Sequence, residues 1–145
     1  MTKKLFLSAI LILLAFPSVK LCAQEVEVTI TGLKNNTGQI VIGVFKDEAT
    51  FHKENAFLSK SFRKEEITEG KMKVTLSLEP GVWGLSLLDD ENMSGLMEYN
   101  FIGIPREGFG FSDYYHSGLT KPKFDAFRFT LEKEKKKITI KVRYM

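Results

Sequence analysis

"MKVTLSLEPGVWGLSLL", residues 72–88, is the stretch on which the fold turns. Met72, Val74, Leu76 and Leu78 alternate with Lys73, Thr75 and Ser77. A period of two gives a strand one apolar face and one polar face. Glu79, Pro80 and Gly81 then interrupt the pattern: Pro80 presets φ, and Gly81 tolerates a positive φ. From Val82 to Leu88 the chain is apolar on both parities, as in a strand covered on both faces. Two strands joined by so short a turn predict an antiparallel hairpin.

The same alternation extends through the chain. Val26, Val28 and Ile30 alternate with Glu27, Thr29 and Thr31; Phe127, Phe129 and Leu131 with Arg128 and Thr130; and Ile138, Ile140, Val142 and Tyr144 with Thr139, Lys141 and Arg143. Residues 38–45, GQIVIGVF, form a second doubly apolar run, the mark of a central strand. Residues 46–58 contain a short helix signal with Asp47 as its N-cap, and the charged segment 59–67 suits an edge strand. About seven short strands separated by turns predict an all-β, single-domain antiparallel sandwich, immunoglobulin-like or prealbumin-like, over residues 24–145. A closed barrel fits less well with so charged a strand. The run EKEKKK at 132–137 reads as a solvated hairpin turn, and Trp83 as core packing rather than a sugar-stacking platform.

The N-terminus reads as a signal peptide, residues 1–23. Lys3 and Lys4 precede an apolar stretch from Leu5 to Phe16, Pro17 and Ser18 break it, and Ala23 offers a small residue for cleavage. The apolar stretch is shorter than the ~20 residues that span a bilayer, so no membrane span is expected. The expectation is export to the periplasm or the extracellular space. Removing Lys3, Lys4 and Lys20 from the 21 basic residues leaves 18 against 18 acids, so the basic balance of the full chain gives no reason to expect a nucleic-acid partner. The single cysteine, Cys22, falls within the signal, and the exported domain must hold together without a disulfide.

Residues 87–115, LLDDENMSGLMEYNFIGIPREGFGFSDYY, read as one long, chemistry-rich connection. Asp90, Asn92 and Ser94 stand at alternate positions, with Gly95 next and Glu98 three residues beyond. This is the first half of a calcium-loop pattern, in which alternate oxygens face a hard cation. Asp90, Asn92, Ser94, the Leu96 carbonyl and Glu98 would be the ligands of a weak Ca²⁺ site. Phe101 stands where the bidentate glutamate of an EF-hand would fall, and a solvated turn satisfied by local hydrogen bonds is the alternative. The second half places Phe101, Pro105, Glu107, Phe109, Phe111, Tyr114 and Tyr115 close together. These residues are candidates for binding an unknown protein, small-molecule or glycan ligand. The alternative is a self-packed cap over one end of the sandwich.

The motifs within this connection carry a family resemblance. Pro80, Gly81 and Trp83 form a turn entering a strand; Asp90, Asn92 and Gly95 form an acidic loop; and Gly103, Ile104, Pro105, Glu107, Gly108, Gly110, Phe111 and Ser112 form a final run. Together they resemble a family of secreted bacterial proteins catalogued as a domain of unknown function (DUF2141-like). Asp89 stands where that family more often has His, and Ser94 where it more often has Asn. The resemblance implies a small secreted β-sandwich and no particular activity.

For catalysis, the segment 112–117, SDYYHS, gathers Ser112, Asp113 and His116, but a triad is normally assembled from separate segments. His52 and His116 are too few and too far apart to suggest zinc. Two readings remain: a non-catalytic binding or envelope-accessory module acting through residues 89–116, and a weak hydrolase-like enzyme drawing on carboxylates such as Glu91, Glu98 and Glu107 on the same segment.

Overall fold

Strands with alternating apolar residues, and two that are apolar on both parities, build two facing sheets. A computed structural model describes residues 22–65 and 67–145, so the expected signal peptide falls, up to residue 21, outside the described residues. The strands are β1 (Gln24–Thr31), β2 (Gln39–Phe45), β3 (Leu58–Arg63), β4 (Met72–Leu78), β5 (Gly81–Asp90), β6 (Gly108–Phe111), β7 (Arg128–Leu131) and β8 (Lys136–Lys141). One sheet runs β4-β1-β8, with β1 antiparallel to β4 and parallel to β8. The other runs β3-β2-β5 and continues beyond β5 with β6 and β7, which pair with the second and first halves of that strand. Val26, Val28, Ile30, Ile138 and Ile140 face Ile40, Ile42, Val44, Leu85 and Leu131 in the buried core between the sheets. The protein is an all-β sandwich.

The connectivity departs from the simplest reading of residues 72–88. Strands β4 and β5 do not pair: β4 belongs to the first sheet and β5 to the second. Glu79 and Pro80 therefore form an arch across the core, and Trp83 Nε1 donates to the Glu79 carbonyl at 2.9 Å to brace it. Residues 132–135 likewise cross between the sheets, from β7 to β8, rather than close a hairpin. Alternation shows that a strand has a core face, but both a hairpin and an arch put that face on the same core.

The stretch 87–115 is not one connection. Strand β5 extends to Asp90, and GFGF at 108–111 is the additional strand β6. Here the glycines serve close packing. A Cβ on Gly108 would lie 2.5 Å from the Tyr144 ring, and one on Gly110 2.5 Å from Ile140 Cγ2. Strand β6 thus rides against the chain leaving β8. The Phe109 amide donates to the Arg143 carbonyl at 2.9 Å, the Arg143 amide returns the bond at 2.7 Å, and the Asp113 amide donates to the Thr139 carbonyl at 2.8 Å. The two sheets are stitched along this side.

The second sheet is covered on its outer face as well. A short helix, α1 (Glu48–His52), begins at Asp47, whose carboxylate accepts from the Thr50 amide at 2.8 Å. With a 3-10 turn at Phe124–Ala126 it closes a second, aromatic core of Phe45, Phe51, Phe109, Phe111, Phe124 and Phe127. The rings meet mostly edge to face, as their quadrupoles favour.

Candidate functional site

The end of β5 divides two environments. Asp89 and Asp90 are neighbours, and the strand period sends their side chains to opposite faces. Asp89 lies opposite Ile40 and turns inward; Asp90 lies opposite Gln39 and turns outward. Both are fully buried. Beside them, a Cβ on Gly38 would fall 2.2 Å from the Asp90 carbonyl oxygen, and the backbone there has φ +79°, so glycine is required.

On the inner side, Asp89 Oδ1 accepts from Lys64 Nζ at 2.5 Å and Oδ2 accepts from the Tyr144 hydroxyl at 2.5 Å. Lys64 and Asp89 side chains are both 0% exposed. Lys64 Nζ also donates to Asn35 Oδ1 at 3.2 Å, Asn35 Nδ2 donates to Glu91 Oε1 at 3.1 Å, and the Tyr144 hydroxyl accepts from the Lys34 amide at 3.2 Å. Burial, then the bond to Asp89, holds the Tyr144 phenol well above its ordinary range. Lys64 and Asn35 drew no attention as sequence, and Tyr144 read only as a core position. Lys64 lies within a charged edge segment, and nothing in that composition distinguishes one buried lysine from its solvated neighbours.

On the outer side, Asp90 closes a turn. Its Oδ1 accepts from the Ser94 amide at 2.9 Å, and its Oδ2 accepts from the Gly95 amide at 2.8 Å and from Gln39 Nε2 at 2.7 Å. Asn92 Oδ1 takes the Ser94 amide as well, and Asn92 Nδ2 donates to Glu98 Oε1 at 2.9 Å. Ser94 Oγ donates to the Leu96 carbonyl at 3.1 Å. The candidate cation ligands thus share one turn, but N–H donors face the Asp90 oxygens, and a cation would have to displace them. Among the described residues, no group of three or more His, Cys, Asp or Glu is placed to hold a metal ion.

Beyond this turn the chain forms a small stapled finger. The Arg106 amide donates to the Glu98 carbonyl and the Asn100 amide to the Ile104 carbonyl, both at 2.9 Å. Asn100 Oδ1 accepts from the Ile102 and Ile104 amides. The tip presents Phe101, 99% exposed, and Ile102, 64% exposed. Glu107 follows, and both its carboxylate oxygens are buried without a hydrogen-bond partner. Burial pushes this carboxyl up, and Asp90, Glu98 and Asp89 add to the effect; the Glu98 amide opposes it in part without reaching bonding geometry.

The finger walls a cleft of about 410 Å³ over the outer face of the second sheet. Val41, Leu88, Phe109 and Phe111 line it, with Met97 and Tyr99 from the finger and His116 from the segment after β6. Burial, with Glu54 nearby, raises the Tyr99 phenol. The aromatic candidates are therefore split. Phe109 and Phe111 are 8% and 7% exposed and belong to the aromatic core as well as the cleft. Pro105 lines the cleft, while Phe101 stands free at the tip. Tyr114 packs partly against the aromatic core, and Tyr115 is half exposed under Lys141. In the segment 112–117, Ser112 Oγ donates to the Phe127 carbonyl at 2.6 Å, Asp113 Oδ1 accepts from the Thr139 amide at 2.8 Å, and His116 Nε2 faces the Thr120 carbonyl. Each has a backbone partner of its own, and they form no triad.

Fold and site together define a small all-β sandwich with a buried Lys–Asp–Tyr network and an apolar cleft at either side of one strand end. Residues 28–139 match the model of the family described as "Uncharacterized protein conserved in bacteria (DUF2141)", and the chain belongs to that family. Neither the curated proteins nor the solved structures include a match to the chain. No helix among the described residues is long and apolar enough to cross a membrane.

Proposed function

We propose that the protein is an exported, non-catalytic binding module that takes a small apolar ligand into the cleft beside the 98–106 finger, in the periplasm or outside the cell. One observation carries this reading: the outer face of β2, β5 and β6 is left as a concave surface of about 410 Å³, lined mainly by aliphatic and aromatic side chains, with Glu54, Ser86, His116 and Lys121 among its polar groups. That size and chemistry suit small-ligand sites. Export rests on the residues that precede the sandwich: a basic start, a short apolar run and a small residue at the expected cleavage point.

Titration with the apolar fluorophore 1-anilinonaphthalene-8-sulfonate tests the reading. Wild type is expected to bind one molecule saturably. Val41→Trp, which fills the floor from the outer face, is expected to lose binding at an unchanged melting temperature. Phe101→Ser, at the tip, is expected to retain it. Undiminished binding by folded Val41→Trp would place the fluorophore elsewhere and remove the cleft as the site.

A second reading, a carboxylate-dependent hydrolase, draws on Glu107. Burial holds the Glu107 carboxyl above the ordinary glutamate range, and a carboxyl that keeps its proton more tightly is better suited to general-acid work. Half-buried Glu98 would be its partner base. Turnover of chromogenic glycosides or esters that disappears in Glu107→Gln would support it.

A further inference from the structure

We propose that Lys64 and Asp89 condense to an intramolecular amide, a covalent tie between the end of β3 and the end of β5. The pair has the contact, the dryness and the surrounding hydrogen bonds that this reaction requires. Lys64 Nζ lies 2.5 Å from Asp89 Oδ1, so the carboxyl carbon is one covalent bond further on, and both side chains are 0% exposed. Asp89 is fixed within β5, Lys64 directly follows β3, and β2 lies between the two strands and pairs with both. Reacting atoms held this way do not have to find one another by diffusion.

The chemistry balances without any co-reactant. In a dry interior, two full charges are costly, and transfer of one ammonium proton to Oδ1 yields a neutral amine and a neutral acid. The amine is then a nucleophile facing a carboxylic acid. Nζ attacks the Asp89 carboxyl carbon, and negative charge develops on Oδ2, where the Tyr144 hydroxyl already donates at 2.5 Å. A second proton passes from nitrogen to the departing oxygen, the bond from carbon to Oδ1 breaks, and one water leaves. The third proton stays on the amide nitrogen.

The product inherits its partners. The amide oxygen keeps the Tyr144 hydroxyl, and the amide N–H is placed for Asn35 Oδ1, which lies 3.2 Å from Nζ. No buried polar atom of the product is left unsatisfied, whereas the ion pair must keep two charges out of water. The tie also answers a need that the composition creates: Cys22 is the chain's one cysteine, so no disulfide can serve within the sandwich.

Intact-mass measurement on the denatured protein tests this directly, against the mass expected from its sequenced N-terminus. Wild type is expected to be lighter by about 18 Da, the mass of one water. Trypsin should yield a branched product in which residues 64–71 are joined to residues 74–106. Lys64→Met and Asp89→Ala are expected to show their full sequence masses, folded or not. Tyr144→Phe is expected to give a mixture of linked and unlinked chains. A full sequence mass for wild type, with the two peptides separate, would establish an ion pair only and overturn the proposal. So would a mass deficit that persists in Lys64→Met.

Discussion

At the scale of single residues, two adjacent aspartates perform different work because a strand turns them to opposite faces. Asp89 faces a lysine whose side chain is fully buried. Removing it strands the lysine's charge, and Asp89→Ala is expected to cost about 3–5 kcal/mol or more in denaturant unfolding relative to wild type. Asp90 instead gathers the amides of Ser94 and Gly95 and the side chain of Gln39. Hydrogen bonds to a charged acceptor contribute about 1.5–3 kcal/mol each, and some are replaced by water in a variant. Asp90→Ala is therefore expected to lose about 2–3 kcal/mol, by the same amount with chelator as with millimolar calcium. A loss seen only with calcium would assign the turn to a cation instead. Glu107 gives a pH signature. Its carboxyl is raised in the folded protein, so the folded state holds the proton more tightly than the unfolded state. Its stabilising contribution is complete below the ordinary glutamate range and is lost as pH rises through the raised folded value. Glu107→Gln is expected to flatten this decline and to be the more stable form at neutral pH. Parallel melting curves of both forms across pH 4–8 would show instead that the carboxyl is solvated in the fold. Sequence marked Asp90 and Glu107 as notable but had no means of showing that Lys64 and Tyr144 converge on Asp89, because their separations along the chain are 25 and 55 residues.

At the scale of elements, alternation was readable wherever a strand has one wet face. Strands β1, β4 and β8 have such faces, and β2 and β5 were recognisable as apolar on both parities because the aromatic core covers them from behind. Helix α1 was legible from Asp47 alone. Strand β6 was not, since glycine at every second position weakens a strand signal. Those glycines are the imprint of packing against β8, which is visible only in three dimensions. Gly110→Ala would press a methyl group against Ile140 and the Lys141 carbonyl, and it is expected to cost about 1–3 kcal/mol through overpacking. Phe109→Ala would open the aromatic core and is expected to cost about 3–5 kcal/mol. Phe101→Ala, at an exposed tip, is expected to stay within about 0.5 kcal/mol of wild type. Urea unfolding of the three variants orders them. Similar losses for Phe109→Ala and Phe101→Ala would mean that β6 is not a part of the packed structure.

At the scale of the whole molecule, sheet membership was the feature hidden from sequence. A short connection after a strand carries the chain either back alongside it or across the core, and side-chain periodicity is the same in both cases. The Pro80 arch and the 132–135 crossing both take the second course, and the result is a sandwich with unequal sides. On one side, β6 and the chain after β8 exchange backbone hydrogen bonds and join the sheets. On the other, β4 and β3 are outer strands, and β3 carries Lys60 and Arg63, charges that discourage pairing with another chain. Hydrogen exchange should reveal this asymmetry. Amides of central β1 are expected to exchange only through global unfolding, and those of Phe109 and Arg143 to be nearly as slow, although the latter lies outside any regular strand. The outward amides of β3 are expected to exchange faster by orders of magnitude, because fraying an edge opens few apolar contacts. Fast exchange at Phe109 and Arg143 would mean that the sheets are held by side chains alone. The wall of the cleft would then be free to move with β6, and a ligand would have to order that wall before it could bind.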